Sequence, residues 1–108
     1  MIPQIGPREL RSWQGDASRP QPVLIDVRET WEFDYCRIEG SVLIPLGELA
    51  ARIDEVPGGR PLVMVCHHGN RSGYAVAMLQ QAGFSDVYNL SGGVELWAAE
   101  VDPAMKRY

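Results

Sequence analysis

The sequence predicts an α/β fold in which helices cover both faces of a parallel sheet. Residues 23–27, 42–44, 62–65 and 87–90 form mostly apolar runs with little polar alternation, which is typical of strands buried on both faces. Amphipathic segments separate these runs, and helical crossovers of this kind join parallel strands. Glycine and proline residues mark several of the boundaries.

The first three helices are predicted from apolar spacing and from residues that suit helix starts. Residues 7–14 carry apolar side chains on one face, and Pro7 suits the first turn. Thr30 is predicted to cap a short second helix that runs through residue 33. Apolar residues spaced i, i+3 and i+7 over residues 46–53 predict a third helix.

Two further helices are predicted after the later strands. From about residue 71, apolar residues spaced i, i+3, i+4 and i+7 predict a helix that ends at Gly83, where glycine suits the left-handed conformation. The Ser91-Gly92-Gly93 turn then leads into a last short helix, which contains Leu96 and Trp97.

Length and composition indicate one domain. The 108 residues are 45% hydrophobic, which suits a single domain over residues 1–108, with a core over about 5–98 and a C-terminal tail over 99–108. The formal net charge is −4 and Lys106 is the only lysine, so no basic patch indicates a nucleic-acid partner. No membrane partner is expected, because no apolar run approaches the ~20 residues that cross a bilayer. The first residues do not resemble a secretion signal, so a cytoplasmic protein is predicted.

Reactive and charged residues follow two of the predicted strands. Cys66 follows the strand over residues 62–65, and Asp26 and Arg28 lie at the end of the strand over residues 23–27. In open parallel sheets, ligand sites lie beyond the carboxyl ends of the strands. The three residues are therefore expected at one edge of the sheet, where Cys66 is the candidate nucleophile.

Cys66 stands at the start of a tight loop that opens a helix. The backbone N–H groups of residues 67–72 are expected to curve around its sulfur, with Gly69 providing the turn. These groups and the helix dipole stabilise negative charge, so the thiol should ionise readily and act as a nucleophile. This context disfavours the alternative of a buried structural thiol. No metal site is expected from Cys66, His67 and His68, because adjacent residues do not converge easily on one ion.

Three ordered segments resemble the signatures of rhodanese domains. They are residues 26–33 with 38–41 and 44–46, residues 66–72, and residues 89–93 with Trp97. The likeness extends from about Ile5 to Trp97 and is closest to small single-domain thiosulfate sulfurtransferases of the GlpE type. Two departures lie outside the cysteine loop: Cys36-Arg37 stands where many members have Gly-His, and Glu39 replaces a common proline.

The resemblance implies a rhodanese-like α/β fold with a parallel five-stranded sheet flanked by helices on both faces. It also implies that Cys66 takes a sulfane sulfur from thiosulfate or a persulfide donor and passes it, as a persulfide, to a thiol or cyanide acceptor in a ping-pong scheme. The donor would be a small anion, thioredoxin-like proteins are among the candidate acceptors, and no cofactor is implied. The residues implied to bind substrate are His67, His68, Gly69, Asn70, Arg71 and Ser72.

Two other functions stay open at this point. Rhodanese-like domains also serve as non-catalytic interaction modules, often with the cysteine replaced, whereas Cys66 is intact. Related cysteine phosphatases and arsenate reductases form the other alternative. Arg71 follows Cys66 by five positions, whereas in the phosphatases the arginine follows the cysteine by one position more. The longer loop of the phosphatases makes a wider cradle that suits a tetrahedral phosphate.

Alternatives also stay open for the side chains around the loop. Arg71 is expected either to bind an anionic donor or to pair with a carboxylate such as Glu32. His67 and His68 either add positive charge to the site or point to solvent while their N–H groups act, and we favour the second interpretation.

Other residues near the signatures are interpreted as structural. Asp26 and Arg28 are expected to tie loops together near the site through hydrogen bonds. Cys36 is interpreted as an ordinary thiol, with a resolving role toward a Cys66 persulfide as the alternative. Three aromatic residues are expected in the core or in the wall of the site: Trp31, Phe33 and Trp97.

Overall fold

Five parallel strands form one sheet in the computed structural model, which describes residues 1–108. The strands are β1 (Gln4–Ile5), β2 (Val23–Asp26), β3 (Val42–Leu43), β4 (Leu62–Val65) and β5 (Val87–Leu90). They lie in the order β1-β5-β4-β2-β3, and every neighbouring pair is parallel. The predicted α/β fold with a parallel sheet is confirmed.

Five helices connect and flank the strands. They are α1 (Pro7–Gln14), α2 (Thr30–Tyr35), α3 (Leu46–Leu49), α4 (Asn70–Gln81) and α5 (Gly93–Glu100). The bounds of α1 agree with the prediction. In α2 the predicted cap is wrong, because the residue before the helix is Glu29, whose N–H group donates to Glu32 Oε1 at 3.0 Å. Thr30 is therefore the first helical residue.

The helix predicted over residues 46–53 is interrupted. Helix α3 ends at Leu49, and a separate 3-10 turn covers Ile53–Glu55. Leu49 and Ile53 nevertheless pack against the same hydrophobic core. The apolar spacing therefore identified the buried side of this segment, but it did not reveal that the backbone changes its winding between the two residues.

The core lies on both faces of the sheet, and the central strand β4 contributes to each. Leu62 and Met64 pack into the core on the side of α3 and α4, whereas Val63 and Val65 pack on the side of α1 and α5. All four residues of β4 are at most 1% exposed. This burial on both faces explains why the strand lacks polar alternation.

The carboxyl ends of the central strands meet at one edge of the sheet. Asp26 of β2 lies beside Val65 of β4 in register, and the Val27 N–H group donates to the Val65 carbonyl at 2.9 Å. The chain therefore leaves β2 toward Arg28 and leaves β4 toward Cys66 as neighbours. This arrangement places the two candidate segments on the expected side of the domain.

Two segments at the ends of the chain were not foreseen in this form. Strand β1 has only two residues, too few to show a pattern, and it pairs with β5 so that Gln4 lies beside Asn89. Helix α5 continues to Glu100, and the chain then turns back so that the ring of Tyr108 packs against α2. None of the helices is both long and apolar enough to span a bilayer.

Candidate active site

Cys66 leaves the carboxyl end of β4 and is held by two polar contacts at its sulfur. Its Sγ accepts a hydrogen bond from the Gly69 N–H group at 3.0 Å and lies 3.2 Å from Ser72 Oγ. The residue is only 1% exposed. The cysteine therefore presents almost no surface to solvent.

The loop around Cys66 carries several backbone donors that make no hydrogen bond within the protein. These are the N–H groups of His67, His68, Asn70, Arg71 and Ser72. The last three belong to the first turn of α4, where N–H groups have no partner inside the helix. Gly69 alone donates to the resting sulfur, and the other donors are free to bind negative charge placed beside it.

Gly69 adopts a conformation that suits glycine. Its φ angle is +102°, in the left-handed region, and a Cβ atom there would lie 3.3 Å from the Gly92 nitrogen. A side chain would thus add backbone strain and a close contact. The predicted role of Gly69 in the turn agrees with this geometry.

The start of helix α5 holds the cysteine loop from the other side. The N–H groups of Val94 and Glu95 donate to the carbonyls of Cys66 and His67, at 2.9 and 3.1 Å. A Cβ atom on Gly93, whose φ angle is +58°, would lie 2.3 Å from the Cys66 oxygen and 2.4 Å from the His67 oxygen. Glycine at position 93 is therefore what allows the loop and the helix start to approach each other.

Arg71 and Glu32 form a two-pronged ion pair. Arg71 Nη1 lies 2.6 Å from Glu32 Oε1, and Nη2 lies 2.8 Å from Oε2. The Arg71 hydrogen bonds hold the pKa of Glu32 well below its usual range, at about 2. Of the two interpretations left open for Arg71, the structure shows the ion pair, although 37% of the arginine side chain remains exposed.

Asp26 and Arg28 form a second ion pair, which is fully buried. The guanidinium contacts both carboxylate oxygens at 2.7 to 3.0 Å, and Arg28 Nη2 also donates to the Cys36 carbonyl at 2.6 Å. The Cys36 thiol is free and lies 3.7 Å from Arg28 Nη1. Neither Asp26 nor Arg28 makes a hydrogen bond with Cys66, so their contacts join the end of β2 to the end of α2.

Comparison with known proteins identifies the family. The profile of the rhodanese-like domain matches residues 7–100. The chain belongs to the rhodanese-like domain family. It is 46% identical over 85 residues to the thiosulfate sulfurtransferase GlpE of Pseudomonas syringae pv. syringae, a match that covers 78% of this chain and 80% of that protein.

Two further relatives differ in how much of their length corresponds to this chain. The probable adenylyltransferase/sulfurtransferase MoeZ of Mycobacterium tuberculosis is 42% identical over 106 residues, which is 96% of this chain but only 26% of that protein. The crystal structure of a rhodanese-related protein from Thermoplasma volcanium matches with a TM-score of 0.82 and 29% identity, over 93% of this chain and 94% of that one. The rhodanese-like domain thus occurs alone and as a part of longer proteins.

Tyr108 completes this rhodanese-like site, and no sequence pattern pointed to it. Its hydroxyl group donates to Glu32 Oε2 at 2.6 Å and accepts a hydrogen bond from Arg28 Nη1 at 2.9 Å. Burial, together with the contact to the Glu32 carboxylate, raises the pKa of Tyr108 to about 12. Tyr108 therefore joins the two ion pairs, although it lies 76 and 80 residues away from these partners in the sequence.

The two histidines differ in their environment. His68 is exposed, as expected, but the His67 ring is stacked between His68 and Tyr108, with centroid distances of 3.9 and 3.8 Å. The expectation that His67 points to solvent is wrong, because its Nε2 atom is buried without a hydrogen-bond partner. Burial and the neighbouring His68 lower the pKa of His67, which favours the neutral ring near pH 7.

The predicted aromatic residues divide between the core and the surface. Trp97 and Phe33 are buried, at 4% and 9% exposure, as expected. Trp31 is 61% exposed and makes an edge contact with Tyr108, so of the two predicted places, core or wall of the site, the core is excluded for this residue. No group of three or more histidine, cysteine or acidic side chains is placed to hold a metal ion.

The contact between Gly93 and the cysteine loop can be tested by substitution. Gly93→Ala should lower the free energy of unfolding by about 2 kcal/mol or more, because Cβ collides with two carbonyl oxygens at an unfavourable φ angle. Gly58→Ala is the matched control, since Gly58 is exposed and nothing lies within 4 Å of the new Cβ. Urea denaturation measures both, and equal stabilities of the two variants would contradict this account.

The buried ion pair predicts a large effect of removing its cation. Arg28→Leu should lower the free energy of unfolding by about 3–5 kcal/mol, because it leaves the Asp26 carboxylate buried without its partner. Arg52→Leu removes a guanidinium that pairs with Glu48 and Glu55 at the surface, and it should change stability little. A comparably small effect of both variants in urea denaturation would argue against a structural role for Arg28.

The depressed pKa of Glu32 predicts a dependence of stability on pH. Stabilisation by the Glu32–Arg71 pair should be complete above the ordinary glutamate pKa of 4.5 and should be lost as the pH falls toward 2. The stability difference between the wild type and Glu32→Gln should therefore shrink by about 1–2 kcal/mol over that range, allowing for solvent around Arg71. In an Arg71→Gln background, the change with pH should be smaller. A difference that stays constant from pH 6 to pH 2 would contradict the assignment.

Proposed function

We propose that this protein is a sulfurtransferase that moves a sulfane sulfur from thiosulfate or a persulfide donor to a thiol or cyanide acceptor through a persulfide on Cys66. One observation carries the proposal: a single cysteine sulfur sits in a loop whose remaining backbone donors are unpaired. The relative named a thiosulfate sulfurtransferase, at 46% identity, supports the same activity.

In the first step, the Cys66 thiolate attacks the outer sulfur of thiosulfate. A new S–S bond forms at Cys66, the bond within thiosulfate breaks, and sulfite leaves with the bonding electron pair. The transferred sulfur then carries negative charge beside the free N–H groups of the loop, which stabilise it. A persulfide donor reacts in the same way, with its thiolate as the leaving group.

In the second step, the acceptor attacks the outer sulfur of the Cys66 persulfide. A thiolate acceptor becomes a persulfide, cyanide becomes thiocyanate, and the Cys66 thiolate is released with the electron pair of the broken S–S bond. The enzyme returns to its starting state without a change in the oxidation state of any bound group. The two half-reactions predict ping-pong kinetics.

The surroundings of Cys66 favour sulfur transfer over phosphate chemistry. A cysteine phosphatase needs an arginine whose guanidinium is free to bind the phosphate oxygens in a fork. Here both Arg71 Nη atoms contact the Glu32 carboxylate, and the arginine follows Cys66 by only five positions. To stabilise the single outer sulfur of a persulfide, the site needs only the backbone N–H donors of the loop. The intact cysteine and its donors also argue against a purely non-catalytic interaction module.

The proposed donor is a small anion, and the proposed acceptor is a thiol, with thioredoxin-like proteins among the candidates. Cys66 is 1% exposed, so a small donor needs less movement of the loop than a large one. Cys36 and Cys66 are both free thiols, which suits the reducing cytoplasm that we propose as the site of action.

Intact mass spectrometry after incubation with thiosulfate tests the proposal. The wild type should gain the mass of one sulfur atom, because the persulfide is stable until an acceptor arrives, and Cys66→Ser should gain none. Cys36→Ser is the matched control and should gain sulfur like the wild type. If the wild type gains no sulfur from thiosulfate or from a small-molecule persulfide, the proposed function is wrong.

A further inference from the structure

The two residues that contact Cys66 Sγ are both bound by one side chain behind the loop. Asn89 Nδ2 donates to the Gly69 carbonyl at 3.0 Å, and Asn89 Oδ1 accepts a hydrogen bond from Ser72 Oγ. Gly69 and Ser72 are the residues whose N–H and hydroxyl groups reach the sulfur. We infer that Asn89 is a positioning residue that sets the geometry of the Cys66 sulfur for its reaction.

The orientation of the Asn89 amide is determined by its partners. Its Nδ2 atom faces two acceptors, the Gly69 carbonyl and Gln4 Oε1, each at 3.0 Å. Its Oδ1 atom faces the hydroxyl of Ser72, which can donate. Asn89 is 5% exposed and Ser72 is fully buried, so water does not compete freely for these bonds. The amide is thus fixed on both sides.

The Ser72 hydroxyl has a single hydrogen, and this limits the hydrogen-bond patterns at Cys66. While that hydrogen points to Asn89 Oδ1, the lone pairs of Ser72 Oγ face the sulfur and can accept from the thiol. When the thiol loses its proton, the hydroxyl hydrogen either stays directed at Asn89 Oδ1 or rotates about the C–O bond to Sγ, and this rotation breaks the bond to Asn89. Asn89 therefore holds Ser72 Oγ in place in the thiol state, from which the thiolate forms.

The contact with the Gly69 carbonyl acts on the backbone donors. A trans peptide places its N–H group opposite its C=O group, so drawing the Gly69 carbonyl toward Asn89 directs the Asn70 N–H group away from it. The Asn70 N–H group is one of the unpaired donors of the loop. Asn89 therefore bonds both residues that contact the resting sulfur and orients one unpaired donor of the loop.

Strand β1 supplies the outer support of this network. Gln4 lies beside Asn89 in register, and its Oε1 atom accepts from Asn89 Nδ2 and from Ser91 Oγ, each at 3.0 Å. Gln4 makes no hydrogen bond with the sulfur or with either of its two partners. Its removal should therefore loosen Asn89 without removing the two bonds that matter for Cys66.

The inference rests on the proposed function, and steady-state kinetics with thiosulfate test it. Asn89→Ala should lower kcat by about 10- to 100-fold, as is typical when a group that orients a reacting residue is lost, while KM for thiosulfate stays unchanged because Asn89 does not reach the donor. Gln4→Ala should lower kcat much less. Thermal melts confirm that each variant is folded.

A double-mutant cycle separates positioning from a general effect on stability. If Asn89 acts through Ser72, the fold-loss in kcat caused by Asn89→Ala should be smaller in a Ser72→Ala background than in the wild type. If Asn89→Ala does not fold, Asn89→Asp provides the test, because it keeps the shape and the acceptor for Ser72 but cannot donate to Gly69 when ionised. An unchanged kcat in the folded variant, or equal losses in both backgrounds, would overturn the inference.

Alkylation of Cys66 by iodoacetamide tests the role of Asn89 without any sulfur donor. In Asn89→Ala the rate should reach half its maximum at a higher pH than in the wild type, because the loop peptide that Asn89 binds through the Gly69 carbonyl is less well placed to stabilise negative charge. The charged and titratable groups around the loop, Arg71, Glu32, His67, His68 and Tyr108, stay the same in both proteins. An unshifted profile would overturn the inference, whereas a wild type that takes up no sulfur but shows the shift would overturn only the proposed function.

Discussion

The hydrogen bonds between the start of α5 and the cysteine loop are the contact on which the site depends. Val94 and Glu95 donate to the carbonyls of Cys66 and His67, and Gly93 allows the two segments to meet. With these carbonyls bound to α5, the backbone donors of the loop face away from them, because the two groups of a trans peptide point in opposite directions. The unpaired N–H groups of His67 and His68 are thus a consequence of how two segments far apart in sequence pack together, whereas the other unpaired donors belong to the first turn of α4.

A second constraint is a series of linked ion pairs and hydrogen bonds beside the loop. Arg28 lies between Asp26 and the Tyr108 hydroxyl, which in turn contacts Glu32, and Glu32 binds Arg71 of helix α4. Each buried charge is paired, which is the condition under which charged groups are tolerated in a protein interior. These linked contacts fix Arg71 in the first turn of α4 and pair its guanidinium with the Glu32 carboxylate. The unpaired donors beside the Cys66 sulfur are therefore backbone groups.

Local patterns predicted much of this protein because the information lies within short segments. The strand, the cysteine, Gly69 and the following helix are contiguous, so the position of Cys66 at the sheet edge followed from strand order and loop chemistry. The cap of α2 and the break after Leu49 were missed, since both depend on competing local hydrogen bonds that apolar spacing does not report. The contact of Trp31 with Tyr108 and the stacking of His67 on Tyr108 were also missed, since Tyr108 lies at the far end of the chain.

The sequence alone determined the α/β class and the family, and it singled out Cys66 as the candidate nucleophile, because each of these depends on the order of residues within a segment. The tertiary structure decided which partners these residues have. Arg71 and Glu32 are 39 positions apart, and Ser72 and Asn89 are 17 apart. Such pairs form only when the parallel strands bring their ends to one edge, so only the folded chain shows that Arg71 is paired and that Asn89 bonds Ser72 beside the Cys66 sulfur.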